Sequence, residues 1–153
     1  MKRRLFLKGT LASSTIAVAA IAGLIRPQQL LAAWPESAFS ATTVTDALSS
    51  LSGNSDFSSS AEIELNAPKI AENGAVVPVT ISTKMSGVTK ISILVEKNSF
   101  PLVASYDIPE GTIPYVSTRI KMGKTSNVIA LVEAGGKQFS AQQEVKVTIG
   151  GCG

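Results

Sequence analysis

From Glu62 to the end of the chain, apolar and polar residues alternate in short runs, and most runs are closed by glycine or proline. A period of two puts successive side chains on opposite faces of a strand, so such a chain must cover one face of its strands with a second layer. Val77, Val79 and Ile81 share one face of a run that follows the turn signal Glu72-Asn73-Gly74. Between Lys90 and Lys97, Ile91, Ile93 and Val95 face one way, with Leu94 and Glu96 opposite. Other runs are Glu62 to Leu65, Val103 to Tyr106, Tyr115 to Met122, Asn127 to Glu133 and Lys137 to Ile149. Pro68, Gly87, Pro101, Pro109, Gly111, Pro114, Gly123 and Gly135-Gly136 punctuate them. About seven short strands at roughly 8–12-residue spacing predict a mainly β protein, an immunoglobulin-like antiparallel sandwich. With one cysteine in the chain, no internal disulfide can brace the sheets, and the core must hold by packing.

Ahead of the strands, Phe39, Val44, Ala47, Leu48 and Leu51 lie near helical spacing. They predict one short amphipathic helix within Trp34 to Ser52, ended by Gly53-Asn54. Ser, Gly, Asn and Asp then dominate Ser52 to Ala61, which reads as a linker. The first 33 residues read as an export signal. Lys2, Arg3, Arg4 and Lys8 precede a weakly apolar run from Leu11 to Ile25, and cleavage is expected near Ala32-Ala33. That run is short for a membrane-spanning helix, which needs roughly 20 apolar residues; an uncleaved anchor is the alternative. The expected plan is therefore a signal over 1–33, helix and linker over 34–61, the sandwich over 62–149 and a glycine-rich tail over 150–153.

The signal also sets the charge. The whole chain carries 14 basic and 11 acidic residues, but five of the basic residues precede Glu36 and none of the acidic ones do. The remainder has nine basic residues against 11 acidic ones, net −2. A nucleic-acid reading, which needs a basic surface, loses its support. No stable membrane association is expected once the signal is removed.

The one cysteine stands second from the end, in Ile149-Gly150-Gly151-Cys152-Gly153. The alternation of the last strand points Val145, Val147 and Ile149 to the core, which makes Ile149 the expected last anchored residue. Gly150, Gly151 and Gly153 then form a flexible arm, and Cys152 can reach roughly 10 Å from the domain at about 3.3–3.6 Å per residue. There is no histidine, so triads with a histidine base and imidazole metal sites are excluded. A C-x-x-C pair is absent as well. No catalytic residues, metal ligands or cofactor site are expected. A solvated thiol titrates near about 8.5, which leaves a few per cent as thiolate at neutral pH. Cys152 therefore suits covalent attachment of a sulfur group, by a disulfide-type link or a persulfide. The alternative is an exported domain that dimerises through Cys152, and a weaker one is a redox thiol lent to another protein's site.

The tail Gly150-Gly151-Cys152-Gly153 resembles that of the SoxY family, sulfur-carrier subunits of the periplasmic thiosulfate-oxidising system. So do Pro68 to Gly74 with Val77-Pro78-Val79, Asn98 to Ala104, and Ser117 to Met122. Arg3-Arg4-Leu5-Phe6-Leu7-Lys8 resembles the twin-arginine signal of proteins exported already folded, although Lys2 stands where Ser or Thr is usual. The resemblance implies a carrier without turnover of its own, with Cys152 as the attachment point. It also implies a SoxZ-type subunit as heterodimer partner, a c-type cytochrome that joins thiosulfate to the thiol, and a hydrolase that releases sulfate. In some organisms a sulfur dehydrogenase follows. The family tail commonly has two glycines after the cysteine, and one stands here.

Overall fold

The computed structural model describes residues 35–53 and 56–151. The expected signal, Cys152 and Gly153 lie outside the described residues.

Two short helices open the described residues, α1 (Glu36–Ser40) and α2 (Val44–Ser52). One continuous helix was the expectation, and the break has a local cause. Ala41 and Thr43 are both extended, and the Thr43 hydroxyl oxygen accepts from the Asp46 amide at 3.1 Å, capping a fresh N-terminus. The same hydroxyl donates to the Asp46 carboxylate at 2.7 Å. At the other end Gly53 adopts φ 70°, and its N–H donates to Ser49 O at 2.9 Å. A left-handed terminator of this kind strongly favours glycine.

The strands are β1 (Ser58–Ser59), β2 (Ile63–Asn66), β3 (Ile70–Ala71), β4 (Val77–Thr83), β5 (Val88–Val95), β6 (Leu102–Asp107), β7 (Tyr115–Ile120), β8 (Ser126–Ala134) and β9 (Lys137–Val147). The smaller sheet has the order β2-β4-β7 and the larger β1-β9-β8-β5-β6, with β3 also pairing β9. The chain alternates between the sheets from β1 through β5, and crosses again between β6 and β7 and between β7 and β8. This is the strand order of an immunoglobulin-like sandwich, three strands facing four, as the alternation predicts. Gly135 and Gly136, at φ 57° and 72°, make the tight turn of the β8–β9 hairpin, where both central residues need positive φ.

The core lies between the sheets. Val77, Val79 and Ile81 of β4 meet Ile91, Ile93 and Val95 of β5, with Val128, Ala130 and Val132 of β8 and Val145 of β9. Burying each such aliphatic side chain stabilises the fold by about 1.5–3 kcal/mol before chain entropy is counted. Leu94, Leu102 and Leu131 project from the other face of the large sheet and are covered by Ala38, Ala47 and Leu48 of the helices. That third layer explains why Ile93, Leu94 and Val95 are buried in succession.

Two further features depart from the sequence reading. β1 and β3 are parallel two-residue pairings on the edge of β9, too short to show a period. The end of β9 also departs. Val145 is fully buried and Val147 packs against the core, but Ile149 is 69% exposed. Regular pairing stops at Val147, whose N–H donates to Thr125 Oγ1, and the chain bends over 148–149. The alternation cannot continue through that bend, so Ile149 is not a core residue.

Replacing Ile93 by Ala should lower stability by about 2–5 kcal/mol through an unfilled cavity. The same change at Ile113, 80% exposed, should move it by less than about 0.5 kcal/mol. Urea unfolding of the two variants checks the pair.

Candidate functional site: a tail seated between two turns

The last described residues run between two turns at one end of the sandwich. One turn precedes β4. Asn73 Oδ1 accepts from the Ala75 amide at 2.9 Å, and Asn73 O from the Val76 amide at 3.3 Å, which shapes the turn around Gly74. The other turn joins β7 to β8 through Lys121, Met122, Gly123 and Lys124. Gly74 and Met122 are joined by a 2.7 Å bond from Met122 N to Gly74 O.

The tail is held from both sides. Thr148 donates through its N–H to Ala71 O at 3.1 Å and through its hydroxyl to Glu72 O at 2.9 Å. Ile149 O accepts from Gly74 N at 2.7 Å. Two residues later, Gly151 N donates to Met122 O at 3.1 Å, and Gly151 is buried. The last anchor is thus Gly151, two residues beyond the Ile149 expected from the alternation. The backbone finds hydrogen-bond partners on neighbouring turns after the side-chain pattern has ended.

The glycines here are required by space. A Cβ on Gly74 would overlap Met122 O and come within 2.8 Å of Gly151 N. On Gly150 it would overlap Gly123 O, and on Gly151 it would lie 2.7 Å from Ala75 Cα. Real Cβ atoms do not approach backbone so closely, so the three segments meet here only because positions 74, 150 and 151 carry no side chain. Gly150 and Gly151, expected as a freely moving arm, are packed against the domain in the structure. Cys152 and Gly153 lie outside the described residues; chain connectivity attaches Cys152 to the Gly151 carbonyl. Gly74 was read only as a turn residue, and its tertiary contact leaves no local signal.

Beside Gly151 lies an open hollow lined by Lys97, Ser99, Phe100, Lys121 and Lys124. Asn98 ties its two walls together. Its Nδ2 donates to Lys121 O at 2.8 Å, and its Oδ1 accepts from Gly123 N at 3.0 Å. No sequence motif gathers these three lysines, which lie in the turns after β5 and β7. Lys121 and Lys124 share one turn, and Lys97 joins them only when the two turns pack. Among the described residues, no group of three or more His, Cys, Asp or Glu is arranged to hold a metal ion.

The model of the family described as "Sulfur oxidation protein SoxY" matches residues 48–152. The chain belongs to the SoxY family. The matched span takes in the strands, both turns and the tail through Cys152, and the family resemblance carried by the sequence motifs is borne out. Among solved structures, the chain is similar to the sulfur carrier protein SoxY from Chlorobium limicola f thiosulfatophilum. The identity is 46%, over 72% of this chain and 100% of that one, with a TM-score of 0.64. Two further likenesses are weak and carry no argument. An engineered protein has 14% identity over 57% of this chain and 20% of its own, TM-score 0.41. A chain in a structure described as the basis of T cell specificity and activation by the bacterial superantigen toxic shock syndrome toxin-1 has 11% identity over 56% of this chain and 97% of its own, TM-score 0.39. No curated protein matches the chain significantly.

Gly74→Ala should destabilise the fold by about 1–3 kcal/mol by overpacking and remove protection of the Gly151 amide. Gly123→Ala should be tolerated, since the nearest atom to its Cβ would be 3.8 Å away. Hydrogen exchange at Gly151 with thermal unfolding of both variants checks the contrast.

Proposed function

We propose that this chain carries thiosulfate-derived sulfur covalently on Cys152 and presents it to partner enzymes of the Sox system. The observation that carries the reading is a seated Gly150-Gly151 root leading directly to the chain's only cysteine, in a member of the SoxY family. Anchoring at Gly151 limits how far the thiol strays from the domain, so a partner that docks against this end meets it at a defined place. The chemistry balances without a catalytic group on this chain. Thiosulfate joins the Cys152 sulfur as an S-thiosulfonate, releasing one proton and passing two electrons to a c-type cytochrome. Water then cleaves the sulfur–sulfonate bond, giving sulfate, a proton and a persulfide on Cys152. A sulfur dehydrogenase, or transfer to another acceptor, clears that persulfide.

A SoxZ-type subunit is the proposed heterodimer partner. Export of the folded chain by its twin-arginine type leader would place the cycle in the periplasm, and a partner lacking its own signal would travel with it. Under this reading Gly150, Gly151 and Gly153 are the tail that presents the thiol, and the step from a seated to an extended tail occurs on partner docking. Carriage is favoured over simple dimerisation through Cys152, because a disulfide link alone gives no reason for a sterically fitted glycine seat.

Cys152→Ser should abolish growth on thiosulfate while leaving the unfolding midpoint and partner co-purification unchanged. Sustained thiosulfate-dependent growth of that variant would refute the carrier role.

A further inference from the structure

Among the described residues, the hollow beside Gly151 is bordered by three lysines and by no carboxylate. Lys97, Lys121 and Lys124 are all exposed, and the ion pair between Lys90 and Asp107 involves none of them. Their backbones are fixed. Lys97 N donates to the buried Ser126 Oγ at 3.0 Å, and Asn98 N to Val95 O at 3.2 Å. The Asn98 side chain then locks this turn to the Lys121–Lys124 turn. The outcome is local positive charge on a part of the chain whose net charge is −2. It is concentrated where the tail leaves its last anchor.

We propose that Lys97, Lys121 and Lys124 form an anion cradle that binds the sulfonate end of an –S–SO3− group at the root of the tail. The inference rests on Cys152 being the carrier thiol and assigns the charged half of its cargo a place on this chain. An S-thiosulfonate ends in an anionic sulfonate with three acceptor oxygens, and lysine ammonium groups are flexible point-charge donors suited to it. A persulfide lacks that sulfonate, so the cradle distinguishes cargo before sulfate release from cargo after it. Asn98 is a positioning residue, acting through the backbone of Lys121 and Gly123.

The test uses the full chain and two probes of opposite character. Tetrathionate is a dianion; the Cys152 thiolate attacks one of its inner sulfurs, forming the S-thiosulfonate and expelling thiosulfate. 4,4′-Dithiodipyridine is neutral at the same pH and reports the intrinsic reactivity of the same thiol. Replacing all three lysines by Gln should lower the tetrathionate-to-dithiodipyridine rate ratio about tenfold at low salt, and wild type should lose the same advantage as salt is added. The Lys→Arg triple variant should retain it. These side chains are exposed, so an unchanged melting temperature accompanies the result. In the second arm, NMR signals of the lysine CεH2 groups should shift on loading with the anionic adduct and not with the neutral pyridylthio adduct. Ratio loss with shifts places the attached cargo in the cradle, and ratio loss without them assigns it the incoming free anion. A ratio within about twofold of wild type, with no selective shifts, overturns the proposal. That failure is separate from failure of the carrier reading, in which protein from thiosulfate-grown cells would bear no sulfur adduct on Cys152.

Discussion

The pairing of β9 with β8 is the constraint on which the working end of this molecule depends. Nine residue pairs run from Ser126–Val145 to Ala134–Lys137 without a register break. A one-residue slip would turn Val145 away from the core and move every later residue to the wrong face. The outer edge of β9 is not left bare, because β1 and β3 pair with it in parallel. These pairings cover the edge at Phe139–Ser140 and at Lys146–Val147, and the second fixes the direction in which the chain leaves the sheet. From there the tail can meet only the two turns at that end of the sandwich.

What the turns offer is backbone without side chains. Gly74, Gly150 and Gly151 allow three segments to approach within hydrogen-bonding distance, and Asn98 holds the second turn in register with its neighbour. Glycine in a tail is commonly read as freedom, yet here two of the tail glycines fit a seat that alanine would not enter. The two roles are compatible in a carrier. A seat held by few hydrogen bonds, each with a modest net contribution of about 0.5–1.5 kcal/mol, holds the tail without locking it.

Much of the fold was legible because the physics that selects it is local and periodic. The alternation of Val77, Val79, Ile81 and of Ile91, Ile93, Val95 placed both inner faces, and Gly135-Gly136 marked the hairpin. The helical break at Ala41 to Thr43 was missed, since the apolar spacing spans it and the Thr43 cap competes with continuation. Pairings as short as β1 and β3 have no period to detect. For the site, Cys152 and its flanking glycines stood out by position alone. The outward Ile149, the anchor at Gly151 and the gathering of Lys97, Lys121 and Lys124 depend on contacts between segments distant in the chain. No local pattern encodes them.

In the proposed function, the chain's only thiol carries sulfur covalently. Intact mass of the protein isolated from cells oxidising thiosulfate, before and after reductant, tests this most directly. The account predicts reductant-removable sulfur adducts confined to Cys152, including one that bears a sulfonate. Finding only free thiol and a symmetric disulfide between two copies of the chain would contradict it.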